Sequence, residues 1–304
     1  MPALPFPCVY ASTGDLPLGE HVFPARKYSG LAEYLELEGL WQRTRGVDLA
    51  PANREMLELV HTPAWTSALV DGTIRYEEVL KLEIPYSKPL IDAFRVHVAG
   101  SVLAAREAMR EGAAFHIGGG FHHAFPGHGE GFCAVNDVAI AIRHCQREGL
   151  MERALVIDTD VHQGNGTAAV FAGDESVFTF SIHQENNYPA IKPPSDLDVG
   201  VEDGLEDEEY LEALADGLAK CFARFDPQLI AYVAGSDPYC EDKLGGLNVS
   251  MTGMHERDLM VAKAAASRGI PIFVTLAGGY AQRFSDTLRL HANTALALAA
   301  ARIQ

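Results

Sequence analysis

The chain has 304 residues and a formal charge of −17, from 24 Lys and Arg against 41 Asp and Glu. That length allows one large α/β domain or two small ones, and an acidic balance with no Lys/Arg-rich run excludes a nucleic-acid-binding surface. The five cysteines form no CxxC pair, and their odd number suits reduced thiols in a reducing, cytoplasmic setting; no signal-peptide pattern opens the chain and no uncharged apolar stretch could span a bilayer.

Residues 1–25 are rich in Pro and Gly, with a short strand expected at Cys8–Ala11. A helical pattern follows, placing Leu31, Tyr34, Leu35 and Leu40 on one face. Thr62 and Pro63 form an N-cap and first-turn proline for a helix carrying Trp65, Ala68 and Leu69. Leu80 to Pro89 reads as a loop, and Leu90 to Arg110 as a long helix closed by Gly112. From there strands and helices alternate. Strands are expected at Ala113–Ile117, Ala154–Ile157, Ser176–Ile182, Gln228–Ala234 and Ile270–Leu276. The helices between and after them are Asp137–Arg147, Gly166–Ala172, Asp207–Phe225, His255–Ser267 and a final Ala/Leu-rich one. In Asp207–Phe225, Leu211, Leu214, Leu218, Cys221 and Phe222 share a side. Such alternation builds a mostly parallel sheet with helices on both faces. With no repeat or linker in view, residues 1–304 read as a single domain.

The polar residues with chemistry in them cluster after strands. Asp158, Asp160 and His162 follow Ala154–Ile157 at a spacing of two, which strand alternation would turn to one face. His122 and His123 follow Gly118–Gly120, Asp237 follows Gly235-Ser236, and Tyr280 follows Gly278-Gly279. Ligands of open α/β sheets bind at those carboxyl ends. Burying carboxylates and an imidazole together is costly without a compensating partner, and one divalent ion supplies it. Asp160, His162 and Asp237 would bind Zn²⁺ with room left for water and a substrate oxygen. The ion would bring a water to near-neutral pKa and polarise a carbonyl. The paired histidines can move protons, and Tyr280 can donate to an oxyanion. Gly118–Gly120 is no phosphate cradle, because no GK[ST] follows. His116, His128 and His183 lack the strand-end placing and are read as structural.

Several stretches carry a resemblance. They are Gly119-Gly120-Phe121-His122-His123, Gly131-Phe132-Cys133-Ala134-Val135-Asn136-Asp137, Asp158-Thr159-Asp160-Val161-His162-Gln163-Gly164-Asn165-Gly166 and Leu276-Ala277-Gly278-Gly279-Tyr280. In this order they resemble the signature stretches of the histone deacetylase and acetylpolyamine amidohydrolase superfamily, with weaker likeness at His21–Tyr28 and His61–Trp65. The resemblance implies the three-layer arginase/deacetylase fold and a zinc-dependent amidohydrolase with a narrow tunnel for an acylated amine. It assigns Asp160, His162 and Asp237 as zinc ligands, with Asp237 preferred to Asp242 because it directly follows the strand. It makes His122 and His123 the histidine dyad, Tyr280 the catalytic tyrosine, Phe132 and Tyr188 tunnel walls, and Gly131 part of the acyl channel. Structural K⁺ is implied near Asp158, Asp160, His162, Ser181 and Ile182, with a second site at Phe171, Asp174 and Val177.

Asp158 would hydrogen-bond His122, while His123 would meet Asn165 where some members have aspartate. A carboxylate favours a protonated imidazole and a neutral amide does not. His122 is therefore expected to be the more cationic ring, and His123 to take the proton of water and give it back. The short Pro85–Pro89 loop lacks the insertion of acetylpolyamine-specific members and, with His-Gln-Gly-Asn-Gly, looks most like compact class IV-type deacetylases. Acylated lysine in a peptide or protein, or a small acylated amine, is the expected substrate, with longer acyl chains allowed and either Zn or Fe as native metal. An acetylpolyamine-type deacetylase is the alternative within the fold. An aspartate-nucleophile phosphatase leaves the histidine pair and Gly-Gly-Tyr unexplained, a dinuclear arginase-like hydrolase needs more ligands, and a non-catalytic binding module needs fewer groups.

Overall fold

The computed structural model describes residues 3–42 and 48–302. Seven strands form one sheet: β1 (Cys8–Val9), β2 (Ala113–His116), β3 (Ala154–Asp158), β4 (Val177–Gln184), β5 (Leu197–Val201), β6 (Leu229–Val233) and β7 (Ile272–Thr275). Their order is β1-β2-β7-β6-β3-β4-β5, and every neighbouring pair is parallel. The inner strands are buried along their whole length, as a sheet covered on both faces requires, and all but β4 are mainly apolar. Only β5, at the edge, alternates buried and exposed positions, and its Asp198 and Gly200 hid it from a reading based on apolar runs.

The helices are α1 (Lys27–Leu37), α2 (Arg54–Leu57), α3 (Pro63–Asp71), α4 (Tyr76–Leu82), α5 (Lys88–Glu111), α6 (Asp137–Arg147), α7 (Asn165–Phe171), α8 (Asp207–Arg224), α9 (Met251–Ala266) and α10 (Phe284–Arg302). α5 packs on α6, whereas α10 packs on α9 and α1, and α8 on α9, giving a helical layer on each side of the sheet. The ends follow local chemistry. Thr62 Oγ1 accepts the Trp65 amide at the start of α3, and Gly112 closes α5 at φ +83°.

Four local expectations need correction. Leu40 lies beyond α1: Glu38 caps that helix, Gly39 turns at φ +70°, and Leu40 is tied back through its amide to the Leu35 carbonyl (2.9 Å). Leu80 to Pro89 is not one loop, because Leu80 to Leu82 finish α4 while Lys88 and Pro89 begin α5. Pro89 sits where a helix has no use for its amide, so it starts a helix rather than breaking one. In α8 the fully buried face runs through Tyr210, Leu214, Gly217, Leu218 and Cys221, leaving Leu211 and Phe222 at its margin. Finally, β3 ends at Asp158, so alternation does not carry on through Asp160 and His162. The loop after the strand brings those two side chains to one place.

Candidate functional site

The strands β2, β7, β6 and β3 are adjacent in the sheet, and each hands its carboxyl end to one loop of the site. After β2, Gly119 and Gly120 adopt positive φ (+68° and +87°), and a Cβ on Gly120 would lie 2.5 Å from the Ala277 amide nitrogen. Glycine is therefore required for the loop to lie against the one after β7. Asp137, buried at the start of α6, accepts the amides of Gly120 (3.0 Å) and Phe121 (2.7 Å) and so fixes the chain entering His122.

The two histidine rings lie with centroids 4.0 Å apart, both buried. His122 Nδ1 is 2.7 Å from Asp158 Oδ2, and His123 Nδ1 is 2.7 Å from Asn165 Oδ1. Their electrostatics diverge. Burial works against charge on His122, but Asp158 and Asp160 outweigh it and lift the ring to about 9. Burial, with the neighbouring His122 and His162, pushes His123 well below the ordinary histidine range. One ring is cationic near neutrality and the other is not.

Facing them, Asp160, His162 and Asp237 offer ligand atoms that all lie within 4.8 Å of one another. Asp160 Oδ1 accepts the His162 amide (3.0 Å) and its Oδ2 accepts the Gly278 amide (2.8 Å). Asp237 Oδ1 accepts the Val161 amide (2.8 Å), while Asp237 Oδ2 is buried with no hydrogen-bond donor, 3.3 Å from His162 Nδ1. Burial and the neighbouring Asp160 raise Asp237 to about 7. An orphaned carboxylate oxygen beside a second carboxylate and an imidazole fits a divalent cation in both charge and donor type. Gly278 leaves the space open, since a Cβ there would lie 2.0 Å from Asp237 Oδ2.

Tyr280 is buried beside this group, its hydroxyl held well above the usual tyrosine range by burial and by Asp237 and Asp160. Its ring lies 6.3 Å from that of Phe132 and 6.1 Å from that of Phe23. Phe132 is held at φ +67°, an uncommon conformation for an aromatic residue, and its amide donates to the Leu82 carbonyl (3.0 Å). Tyr188 lies edge-on to His123 at 5.0 Å and 6.2 Å from His162. A Cβ on Gly131 would come within 2.7 Å of the His123 ring and 2.9 Å of Tyr188, so glycine keeps that gap open. The expected ligands Asp160, His162 and Asp237, the paired histidines with Asp158 and Asn165, and Tyr280, Phe132 and Tyr188 thus lie close together.

The sequence pattern of the Histone deacetylase domain family matches residues 21–296. The chain belongs to the histone deacetylase family. A Picosynechococcus protein is 39% identical over 287 residues, covering 94% of this chain and 96% of that one. Histone deacetylase 2 of Arabidopsis thaliana is 30% identical over 269 residues, covering 86% and 70% of the two chains. Among solved structures, an HDAC homologue from Aquifex aeolicus superposes with a TM-score of 0.81 at 24% identity, covering 97% of this chain and 84% of that one, a likeness of fold.

In this histone deacetylase family member, four positioning residues were not recognised as such from the sequence. Asp242, the rejected ligand candidate, accepts the Tyr280 amide (2.7 Å) and those of Leu244 and Gly245, and so holds the tyrosine's backbone. Arg257, buried on α9, donates to the carbonyls of Thr159 (3.2 Å) and Gly235 (2.6 Å), tying together the loops that carry Asp160 and Asp237. Lys27 is fully buried, donates to the Ala277 carbonyl (2.5 Å) and is lowered by burial to about 8. Glu130 stands behind Asn165 and Tyr188. Only Asp242 had a signal, its closeness to Asp237; the others make the contacts named here with groups far along the chain, although Arg257 also pairs with its neighbour Asp258 (2.7 Å). Among the described residues, no helix is long and apolar enough to cross a membrane. At the second cation position implied by resemblance, Asp174 pairs with Arg143 (2.6 Å) and the Phe171 carbonyl accepts the Asp174 amide (2.9 Å).

Proposed function

We propose that this protein is a zinc-dependent amidohydrolase, working as a single catalytic domain, that removes acyl groups from acylated lysine or related amines. The observation that carries the reading is the orphaned Asp237 oxygen beside Asp160 and His162, opposite two histidines of unlike charge. Asp160, His162 and Asp237 would hold the zinc. When bound, zinc supplies Lewis acidity, making a water acidic enough to ionise near neutrality and polarising the amide carbonyl.

The chain's own residues do the rest. His123, neutral, takes a proton from the attacking water through Nε2 as the water oxygen bonds to the acyl carbon. His122, kept cationic by Asp158, offsets the negative charge that develops alongside. Tyr280 donates its hydroxyl to the carbonyl oxygen as that oxygen becomes anionic. When the C–N bond breaks, His123 returns the proton to the leaving nitrogen, giving a free amine and a carboxylate. Phe132 and Tyr188 flank the alkyl stem of the substrate, and Gly131 leaves room beside them. A structural K⁺ near Asp158 and Ser181, which are paired across β3 and β4, belongs to the same proposal.

Metal analysis of the purified chain, with an acetyl-lysine peptide, acetylspermidine and a phosphoester as substrates, tests this. One zinc per chain, lost in Asp237→Asn, together with acetyl-lysine turnover is the expected result. Phosphate release with Mg²⁺, or a chain that binds no divalent metal, would overturn it.

A further inference from the structure

We propose that Glu130 is a positioning residue that selects the ring tautomer of His123, acting through Asn165; this rests on the reading of His123 as the proton acceptor. Glu130 lies in the His128-Gly129-Glu130-Gly131 loop, 35 residues before Asn165 in sequence, and its Oε1 accepts from Asn165 Nδ2 at 2.5 Å. The same oxygen accepts the Tyr188 hydroxyl at 3.1 Å, and its Oε2 lies 3.2 Å from His128 Nε2, on a ring stacked against Phe125. These contacts hold the carboxylate in one place.

The inference turns on the symmetry of an amide. A carboxamide has one accepting end and one donating end of nearly the same shape, so only its neighbours decide which way it points. Asn165 has a ring nitrogen of His123 on one side and Glu130 on the other. A carboxylate can only accept, so the Asn165 nitrogen must turn toward Glu130 and its oxygen toward His123. That oxygen needs a donor, and His123 Nδ1 must therefore carry the proton. The lone pair is left on Nε2, the nitrogen that has to receive a proton from water. With the amide reversed, Nδ1 would have to accept and Nε2 would hold the hydrogen, leaving the ring unable to act as the base.

Glu130 thus does at one remove what a carboxylate directly on His123 would do for its tautomer. It does so without placing a full negative charge against the imidazole, so the ring stays neutral. The Tyr188 hydroxyl on the same oxygen ties this orientation to the aromatic wall beside His123.

The test is the His123 tautomer, read by long-range ¹H–¹⁵N NMR of histidine-labelled protein, beside kcat and KM. The wild type should show Nδ1–H. Glu130→Gln keeps the shape but can donate as well as accept, so it should yield a mixture of tautomers and lower kcat about 10- to 100-fold, the range for partners that orient a catalytic ring. In the double variant Asn165→Asp/Glu130→Gln, the introduced carboxylate again can only accept, so at a pH high enough to keep the ring neutral beside that charge both the Nδ1–H form and much of kcat should return. A merely structural Glu130 predicts no such rescue. An unaltered tautomer in Glu130→Gln, or a double variant that stays mixed, overturns the proposal. The tautomer is read without turnover, so a wild type that hydrolyses no acyl-lysine peptide would sink the functional reading while the NMR result still decides the role of Glu130.

Discussion

Acid should destabilise this fold through two histidines that are buried in neutral form. His61 Nδ1 lies 3.0 Å from the Phe125 carbonyl and must donate to it, and its Nε2 accepts the Asn136 amide at 2.9 Å. Both nitrogens are committed in the neutral ring, and burial pulls its pKa from 6.5 to about 4. His97, whose Nε2 donates to the Gly14 carbonyl (2.7 Å), is drawn by burial from 6.5 to about 4 as well. Between those values the unfolded chain binds a proton that the folded chain refuses, so stability falls as pH drops. The contribution is intact above about pH 7 and is lost progressively down to about pH 4, about 3 kcal/mol per histidine in all. Glutamine at position 61 retains one donor and one acceptor but cannot take up a proton. Urea unfolding at about pH 7.5 and about pH 5 should therefore show the wild type losing about 2 kcal/mol more than His61→Gln over that interval. Equal losses in the two proteins would refute the claim that His61 is held neutral by its two hydrogen bonds.

Tyr280→Phe should lower kcat about 10²–10³-fold with little change in KM, as removal of a single oxyanion donor does; steady-state kinetics on an acetyl-lysine peptide would show it. Lys192 donates to the carbonyls of Glu185 (2.9 Å), Asn187 (2.8 Å) and Pro189 (2.8 Å), around Tyr188. Lys192→Met removes those charge-assisted bonds, and loosening of this aromatic wall should raise KM by about fivefold or more while kcat changes less.

The parts of the fold and site that could be read in the sequence are those where a local pattern has one physical cause. The buried strands β3 and β6 carry apolar runs, and Asp237 lies in the loop just beyond one of them. β5 escaped notice because an edge strand wets one face, so Asp198 and Gly200 interrupt it. α4 escaped because Pro85 and Pro89 drew attention to a loop, and Pro89 turned out to open a helix. The shared placement of Asp160 and His162 was foreseen for an incomplete reason. Alternation ends with β3 at Asp158, and the amide bonds of the following loop, His162 to Asp160 and Val161 to Asp237, do the gathering.

Hydrogen bonds of that kind explain why the supporting residues stayed hidden. Lys27 and Ala277 are 250 positions apart, Arg257 and Thr159 are 98, and Glu130 and Asn165 are 35. Each belongs to no motif that marks it in the sequence, and the ordinary expectation for a charged residue is a solvated surface side chain. The fold makes them informative by bringing adjacent strand ends together, so that a charge carried by one loop finds the backbone or amide of another. The groups placed to do chemistry lie directly after strands, and their orientation comes from residues that do not. On the proposed function, a substitution of Glu130 or Arg257 should alter proton transfer or metal affinity while leaving Asp160, His162, Asp237 and both imidazoles in place, and this separates positioning from chemistry in an experiment.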